Sequence, residues 1–346
     1  MRCRPIAFFS VVLACLMQAG CYVINLAKGQ AHISRSAIGL EEARQLPGLT
    51  ERQRVNLDLV GEIKGFAESR LGLEANDSYS AYYPNPGDRP VMWILTAARR
   101  DRLEPHVWRY PIVGKVNFRS FFSESQARYW KERMERRGYD VHLRPVEAYS
   151  TGGWFDDPIL PDMLDWDEGR LAATVVHELG HGTVVSRDDS AFNESFAEFV
   201  GETGAEMFLS EKYGPDSPVL RRFRERNADR RLFDGFVRQS AEMAKRAYAR
   251  TDRPLKERRS RLGAGILRLY DSFRPRFAAA GYRNLKLRGL NNAWLISNLN
   301  YATTEPFERA FLAVGGDWRR FIALCSEAAR DDEPFVRLGQ VVNSFR

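Results

Sequence analysis

The sequence predicts a mainly helical α+β protein with a small β-sheet in its N-terminal half. Three patterns predict it. Apolar residues recur at helical spacing between 55 and 71, short β-type runs cut by Pro and Gly characterise 80–120, with further strands after 140, and helical patterns follow one another from 159 onward. The hydrophobic share of 44% and the aromatic share of 12% are those of a folded chain, not a disordered one.

Two helix starts and several strands can be placed from residue types. Residues 22–78 are expected to be helical, and Thr50 is expected to cap their longer helix. Ser123 is a candidate cap for a helix that ends at Gly138. Strands are expected in the runs 82–83, 91–95, 113–118, 141–143 and 146–149.

No linker rich in Ser or Gly divides the chain, which favours one compact unit. We expect a signal peptide at 1–20, a helical and mixed α/β region at 21–145, and a mostly helical zinc-binding catalytic region at 146–346. The formal charge of +7 is small for this length. The Arg-rich segment 220–261 is interleaved with acidic residues, so it predicts a solvated helical face and no nucleic-acid partner.

The N-terminus predicts export and a lipid anchor. Arg2 and Arg4 precede an apolar run at 6–17, which is shorter than the roughly 20 residues that a spanning helix needs. Two small residues then stand before Cys21, and this order resembles the bacterial lipoprotein cleavage box, whose cysteine carries the lipid. Plain secretion and retention as an anchor are the alternatives.

The cleavage box is imperfect at one position. Gln18 stands where an aliphatic residue is usual; Cys15 fits the box better, but would leave too short an apolar run for export. With Cys21 lipidated, we expect a protein that is anchored to a bacterial membrane and faces the periplasm. Tyr22 is not the Asp associated with inner-membrane retention, which favours the outer membrane.

A zinc-binding motif stands at residues 174–181, in the sequence TVVHELGH. His177 and His181 lie one helical turn apart, so both imidazoles can reach one Zn²⁺. Glu178, next to the first histidine, can reach the remaining coordination position, where a water would sit. Two of the chain's five histidines fall in this pattern, which makes a stray helix a poor explanation.

The motif does not fix the third ligand. Val184 and Arg187 stand where a metzincin has its glycine and third histidine, which excludes that class. No histidine follows His181, so the ligand is either a carboxylate or an upstream histidine. We assign no role to the upstream histidines, which are His32, His106 and His142.

A second amphipathic helix is expected to bring carboxylates to the two histidines. Glu194 and Glu198 lie one turn apart and point the same way. Their edge faces the histidines if three phenylalanines pack this helix on the first. These are Phe192, Phe196 and Phe199. An exposed acidic edge without a ligand is the alternative.

The order of these motifs resembles the gluzincins, the thermolysin-like metallopeptidases. In their pattern an Asn-Glu-x-x-Ala/Ser-Asp/Glu segment follows the His-Glu-x-x-His helix. The resemblance implies that Glu194 is the third zinc ligand and that Glu198 orients a zinc histidine. Only twelve residues separate His181 from Glu194, fewer than in thermolysin, which predicts a tight loop.

Nearly the whole mature chain is also similar to the bacterial putative aminopeptidase family, whose members are predicted lipoproteins. The residues that carry this likeness are 148–158, 177–181, 192–197, 291–293 and Tyr301. The usual Leu and Ala of two motifs are replaced by Gly152 and Gly180. The resemblance implies a zincin-like fold and a zinc metallopeptidase.

The implied reaction assigns further residues. Glu178 is the expected general base, and a tyrosine hydroxyl is the expected donor to the tetrahedral oxyanion. Tyr301 is the first choice and Tyr149 the second; either is equally well explained as a core tyrosine.

A segment before the zinc helix is expected to hold the substrate. Gly152, Gly153 and Trp154 occupy the place where gluzincins have an edge strand that pairs with the peptide. Asp156 or Asp157 is a candidate for binding an α-ammonium group, although Asp-Asp-Pro is also an ordinary turn before a helix.

The sequence as a whole predicts a membrane-anchored zinc metallopeptidase that acts on peptides, an aminopeptidase first of all. An endopeptidase with the same zinc site and an open cleft is one alternative. A non-catalytic envelope lipoprotein on a zincin scaffold is another, and the presence of Glu178 argues against it, because a scaffold needs ligands but no base.

Overall fold

A computed structural model of the protein describes residues 22, 25–85, 90–110, 114–146, 157–287, 289–300 and 302–344. Over these ranges helices dominate, and every strand precedes residue 147. The fold is therefore the mainly helical α+β fold that the sequence predicts. No helix within these ranges combines the length and the apolar character needed to cross a bilayer.

The described part of the N-terminal half contains three small antiparallel sheets and four helices. The order of three strands in the largest sheet is β6–β3–β7, and the other two sheets pair β1 with β2 and β4 with β5. The elements are α1 (25–36), β1 (Ile38–Gly39), α2 (Leu40–Arg44), α3 (Glu51–Phe66), a π-helical turn (Ala67–Leu71), β2 (Ala81–Tyr82), β3 (Met92–Arg99), β4 (Trp108–Tyr110), β5 (Gly114–Val116), β6 (Phe118–Phe121), α4 (Glu124–Arg136) and β7 (Tyr139–Val146).

The described part of the C-terminal half is helical. It opens with a 3₁₀ turn and contains the two helices that carry the predicted zinc residues. Its elements are the 3₁₀ turn (Pro161–Asp165), α5 (Glu168–Thr183), α6 (Ser190–Tyr213), α7 (Pro218–Ala249), α8 (Leu255–Phe273), a 3₁₀ turn (Arg274–Arg276), α9 (Ala280–Arg283), α10 (Asn292–Asn298), α11 (Glu305–Ala313), α12 (Trp318–Ala328) and α13 (Pro334–Ser344).

Side-chain caps start the helices where the sequence places them. The Thr50 hydroxyl accepts from the backbone N–H of Gln53, and the Gln53 side chain accepts from the N–H of Thr50, which completes a capping box on α3. Ser123 caps α4 in the simpler way, through the N–H of Gln126. Both predicted helix starts are confirmed.

The β-structure differs from the prediction in four respects. The run expected at 113–118 is divided, over its described residues, between β5 and β6, which belong to different sheets. Residues 22–78 are not continuously helical, because β1 interrupts them and the chain after Leu71 is irregular. Strand β4 was not predicted. The runs expected at 141–143 and 146–149 are, as far as they are described, one strand, β7, which continues through Pro145. Proline is tolerated there because β7 is an edge strand.

Helix α6 lies in the largest apolar core. Phe192, Phe196 and Phe199 are buried, as expected, and their rings contact aromatic side chains of the C-terminal helices. Their ring partners are Phe307 and Phe311 of α11, Phe321 and Trp318 of α12, and Phe335 of α13. Cys325 of α12 is fully buried in the same core.

The contact between α5 and α6 is made by small residues. A β-carbon at Gly201 would lie 2.9 Å from both the Ala173 carbonyl oxygen and the His177 β-carbon. A β-carbon at Gly180 would lie 3.3 Å from the Ala197 α-carbon. Glycines therefore let the two helices approach closely, directly beside the first histidine of the zinc motif.

This close contact predicts opposite effects for two Gly→Ala changes inside helices. Gly201→Ala should lower the free energy of unfolding by about 1–3 kcal/mol, because the new methyl group has no space between the helices. Gly61→Ala in α3 is the matched control. Nothing lies within 4 Å of its β-carbon position, so alanine should stabilise by up to about 1 kcal/mol. Urea unfolding of both variants measures the difference; equal stability of the two would contradict the close α5–α6 contact.

Candidate active site

Helix α5 presents the two histidines of the motif on one face. Their Nε2 atoms lie 3.2 Å apart, and the ring planes are 84° from each other. Ligand atoms of His177, Glu178 and His181 all lie within 4.8 Å of one another. The three side chains that the sequence groups together are thus brought together in space.

The spacing of the two imidazoles fits a shared metal ion. Two ligands at 2.0–2.1 Å from a tetrahedral zinc lie about 3.3–3.4 Å apart, close to the Nε2–Nε2 distance in this structure. Burial, helped by the nearby charges of His181 and Arg230, lowers the pKa of His177 to about 3. Burial also lowers the pKa of His181, although the negative charge of Glu194 acts to raise it. Both rings are therefore neutral at pH 7, which is the form that binds metals.

Glu194 of α6 adds a carboxylate to the two imidazoles. One of its oxygens lies 3.7 Å from His177 Nε2, and the other lies 3.7 Å from His181 Nε2. Its side chain is 59% exposed, whereas those of the histidines are 21% and 14% exposed. The carboxylate therefore lies on the solvent side of the imidazole pair, and the donor set of two nitrogens and one oxygen suits zinc.

Asn193 fixes the loop that delivers Glu194. Its side-chain oxygen accepts from the Ser186 N–H at 2.7 Å, and its amide group donates to the Ser186 carbonyl at 2.8 Å. Asp189 then caps α6 by accepting from the Phe192 N–H. These contacts explain how a connection of only a few residues between α5 and α6 can be closed.

Glu198 lies on the other side of His177. Its Oε2 is 3.7 Å from His177 Nδ1, and its Oε1 contacts the guanidinium of Arg230. Arg230, on α7, also contacts Glu202 and lies 3.6 Å from Asp234. Three carboxylates therefore surround one partly buried guanidinium behind the histidine.

The charges of this cluster influence one another. Burial raises the pKa of Glu198, while Arg230 opposes that shift. Burial acts to lower the pKa of Arg230, but the carboxylates of Glu198 and Glu202 raise it overall. The guanidinium thus favours the ionised form of Glu198, the form that can accept a hydrogen bond from His177 Nδ1.

Comparison with known protein families gives one match. The model of the family described as "Putative aminopeptidase" matches residues 21–334. The chain belongs to this family. No curated protein and no solved structure shows a significant match to it.

Residues 291 and 292, which belong to one of the motifs that carry the resemblance in the sequence, have a structural role. Asn291 caps α10 and donates to the Val141 carbonyl of β7 at 3.1 Å. Asn292 is buried; its side chain donates to the Arg99 carbonyl of β3 and accepts from the Tyr248 hydroxyl of α7. These hydrogen bonds join the helical half of the chain to the sheet.

Several predicted site residues lie outside the described ranges. They are Tyr301, Tyr149, Gly152, Gly153, Trp154, Asp156 and Cys21. Asp157 is described and is 3% exposed. Its carbonyl accepts from the Tyr79 N–H at 2.7 Å, and its own N–H donates to the Ser78 hydroxyl at 3.3 Å.

The three upstream histidines contact other parts of the structure. His32 packs edge-on against Tyr83, and His106 packs against Trp108 and Tyr139. His142 lies in β7 opposite Thr96.

The sequence did not point to Arg230, and it placed Asn193 in a motif without a role of its own. Arg230 belongs to the Arg-rich segment that was interpreted as a solvated face, and its residue type does not separate it from Arg231 beside it. The side chain of Arg231 is 62% exposed, and that of Arg230 is 29% exposed. The one available signal was helical spacing: Arg230 and Asp234 are four residues apart, as an ion pair on a helix requires.

The guanidinium cluster predicts a large stability difference between two neighbouring arginines. Arg230→Met should lower the free energy of unfolding by about 3 kcal/mol, because it leaves partly buried carboxylates without a cation. Arg231→Met is the matched control, and removing its exposed pair should cost less than about 1 kcal/mol. Urea unfolding of metal-free protein measures both. Equal, small losses would show that Arg230 does not hold the cluster together.

Proposed function

We propose that this member of the aminopeptidase family is a zinc metallopeptidase that removes residues from the N-terminus of peptides. One observation carries the proposal: two neutral imidazoles converge to 3.2 Å on one face of α5, and a carboxylate from α6 lies 3.7 Å from each. A cation between them would be bound by three ligand atoms that already lie close together.

His177, His181 and Glu194 are the residues that would hold the ion. When bound, zinc lowers the pKa of a coordinated water toward about 7 and polarises the peptide carbonyl. Glu198 would keep the His177 ring in place by accepting from its Nδ1–H, with Arg230 holding the carboxylate.

Glu178 is the residue that moves the proton. It follows His177 directly, and its ligand atom lies within 4.8 Å of both histidine nitrogens. From there its carboxylate would take the proton of the attacking water and deliver it to the leaving amine. A scaffold that only bound metal would need the two histidines but not this base.

The substrate-binding residues are part of the proposal. Tyr301, or else Tyr149, would donate to the tetrahedral oxyanion, and Gly152, Gly153 and Trp154 would lie along the peptide. Asp156 or Asp157 would bind the α-ammonium group of an aminopeptidase substrate. Glu178 and the buried Asp157 both act electrostatically on Tyr79, which supports an acidic environment near the base.

Hydrolysis by Glu178→Gln tests the base directly. The variant should keep its bound zinc but hydrolyse aminoacyl substrates at least 10²-fold more slowly, because general-base catalysis contributes about 10²–10⁴-fold. Glu206→Gln is the matched control, since Glu206 is a glutamate of α6 whose contact is an exposed pair with Arg224. It should be fully active.

Two further measurements distinguish the alternatives. Removal of zinc with a chelator should abolish hydrolysis, and zinc addition should restore it. Cleavage restricted to internally quenched peptides with blocked N-termini would indicate an endopeptidase. Background hydrolysis by the wild type, with no bound metal, would leave a non-catalytic lipoprotein as the remaining interpretation.

We also propose that the protein is exported and anchored to the membrane by lipid on Cys21, facing the periplasm. The next residue, Tyr22, is buried: its ring stacks on Tyr110 at 4.7 Å, and Arg119 lies 4.2 Å from the ring centre. The Ser120 N–H donates to its hydroxyl at 3.0 Å. A lipid on Cys21 would therefore hold the folded domain close to the membrane surface.

Cys21→Ser tests the anchor. In cells fed a radiolabelled fatty acid, the wild type should be labelled and should sediment with membranes, whereas the variant should be unlabelled. Cys325→Ser is the matched control, because this buried thiol cannot be acylated in the folded protein. Labelling of Cys21→Ser to the wild-type level would show that the lipid is attached elsewhere.

A further inference from the structure

Tyr79 has an unusual backbone conformation close to the proposed site. It lies between the π-helical turn and β2, and its φ angle is 59°. The left-handed region is disfavoured for residues with a β-carbon, and bulky residues in it are outliers. Such conformations persist only where the surrounding structure enforces them, and they cluster at functional sites.

Hydrogen bonds on both sides enforce this conformation. The Tyr79 N–H donates to the Asp157 carbonyl at 2.7 Å. Lys64 of α3 donates to the carbonyls of Asn76 and Ser78, and to the hydroxyl of Ser80 at 2.6 Å. The turn is thus held by hydrogen bonds from Lys64 and by a hydrogen bond to Asp157, which lies in the segment that leads into α5.

The same segment lies against the last turn of α5. The Glu74 N–H donates to the Thr183 hydroxyl at 3.0 Å, and the Asn76 side-chain amide lies 3.1 Å from the β-carbon position of Gly182. Gly182 is adjacent to His181. The strained turn is therefore packed onto the part of the helix that carries the zinc motif.

The hydroxyl of Tyr79 is buried and carries an available proton. The residue is 1% exposed, and no described residue accepts a hydrogen bond from its hydroxyl. Burial raises its pKa well above the ordinary value, and the carboxylates of Glu178 and Asp157 raise it further. The hydroxyl is thus a buried donor without a described acceptor, in a turn whose backbone is hydrogen-bonded to Asp157.

We propose that Tyr79 is a positioning residue for Glu178: its hydroxyl, fixed by the strained turn, donates to the Glu178 carboxylate when substrate is bound. This inference rests on the proposed peptidase function. Catalytic hydrogen bonds are often long in substrate-free structures and shorten in the complex with substrate. The bond would fix the orientation of the carboxylate that takes the proton.

The variant Tyr79→Phe distinguishes a positioning role of Tyr79 from a purely structural one. A buried hydroxyl without a partner destabilises the folded state, so its removal should leave the protein as stable as the wild type or more stable. A structural role therefore predicts unchanged activity in a stable variant. A positioning role predicts lost activity in an equally stable variant.

The test uses the full-length lipoprotein, solubilised in detergent and loaded with zinc. Tyr79→Phe should lower kcat by about 10–100-fold, the loss expected from a misplaced catalytic group, with KM, zinc content and Tm unchanged or Tm raised. Tyr110→Phe is the matched control. This variant also loses a buried tyrosine hydroxyl, but Tyr110 lies in the apolar cluster around Tyr22 and not beside Glu178. Its kcat should equal that of the wild type.

Combining the change with Glu178→Asp identifies the group that Tyr79 acts through. The shorter side chain withdraws the carboxylate, so Tyr79→Phe should cost less than about 3-fold in this background. A full 10–100-fold loss there would assign the hydroxyl to the substrate and overturn the positioning role.

Two other outcomes separate this inference from the function on which it rests. An active wild type with a fully active Tyr79→Phe variant would refute the inference alone. A wild type without hydrolysis would refute both.

Discussion

Helices α5 and α6 approach closely because glycines occupy their contact, and the geometry of the site follows from that spacing. Gly201 lies against the backbone of α5 beside His177, so any side chain there would push α6 away. The carboxylate of Glu194 would move with it and lose its equal distances to the two imidazoles. The glycines weaken the helices themselves, by about 1 kcal/mol each relative to alanine, and the phenylalanines of α6 offset this by packing into the C-terminal core.

Charged side chains of alternating sign extend from the two histidines into the protein. The neutral imidazoles face a carboxylate on the solvent side and another on the interior side, and Arg230 favours the ionised form of the interior carboxylate. Glu202 and Asp234 then balance the arginine. Such clusters contribute little net stability, because desolvation of the charges opposes their attraction. Their effect is to orient side chains. Glu202 and Asp234 restrict the position of Arg230, which restricts that of Glu198 and through it the ring of His177.

Local sequence predicted the parts of this arrangement that depend on short-range spacing. The four-residue spacing of His177 and His181 and the cap at Thr50 are properties of single helices, so local spacing and residue type place them. Arg230 and Tyr79 could not be found in this way. Arg230 reaches the site from another helix, and its local sequence is like that of its solvated neighbours. Tyr79 lies about one hundred residues before the zinc motif, and its strained backbone depends on Lys64 and Asp157. The continuity of β7 through Pro145 was missed for a related reason, since only the sheet order shows that the strand lies at an edge.

The central claim is that one zinc ion is held by side chains from two neighbouring helices. Zinc-edge anomalous diffraction from crystals of the zinc-loaded protein tests it most directly. The account predicts a single strong peak about 2.0–2.2 Å from His177 Nε2, His181 Nε2 and a carboxylate oxygen of Glu194. A peak elsewhere, or a zinc ion bound by the histidines with Glu194 turned into solvent, would contradict it.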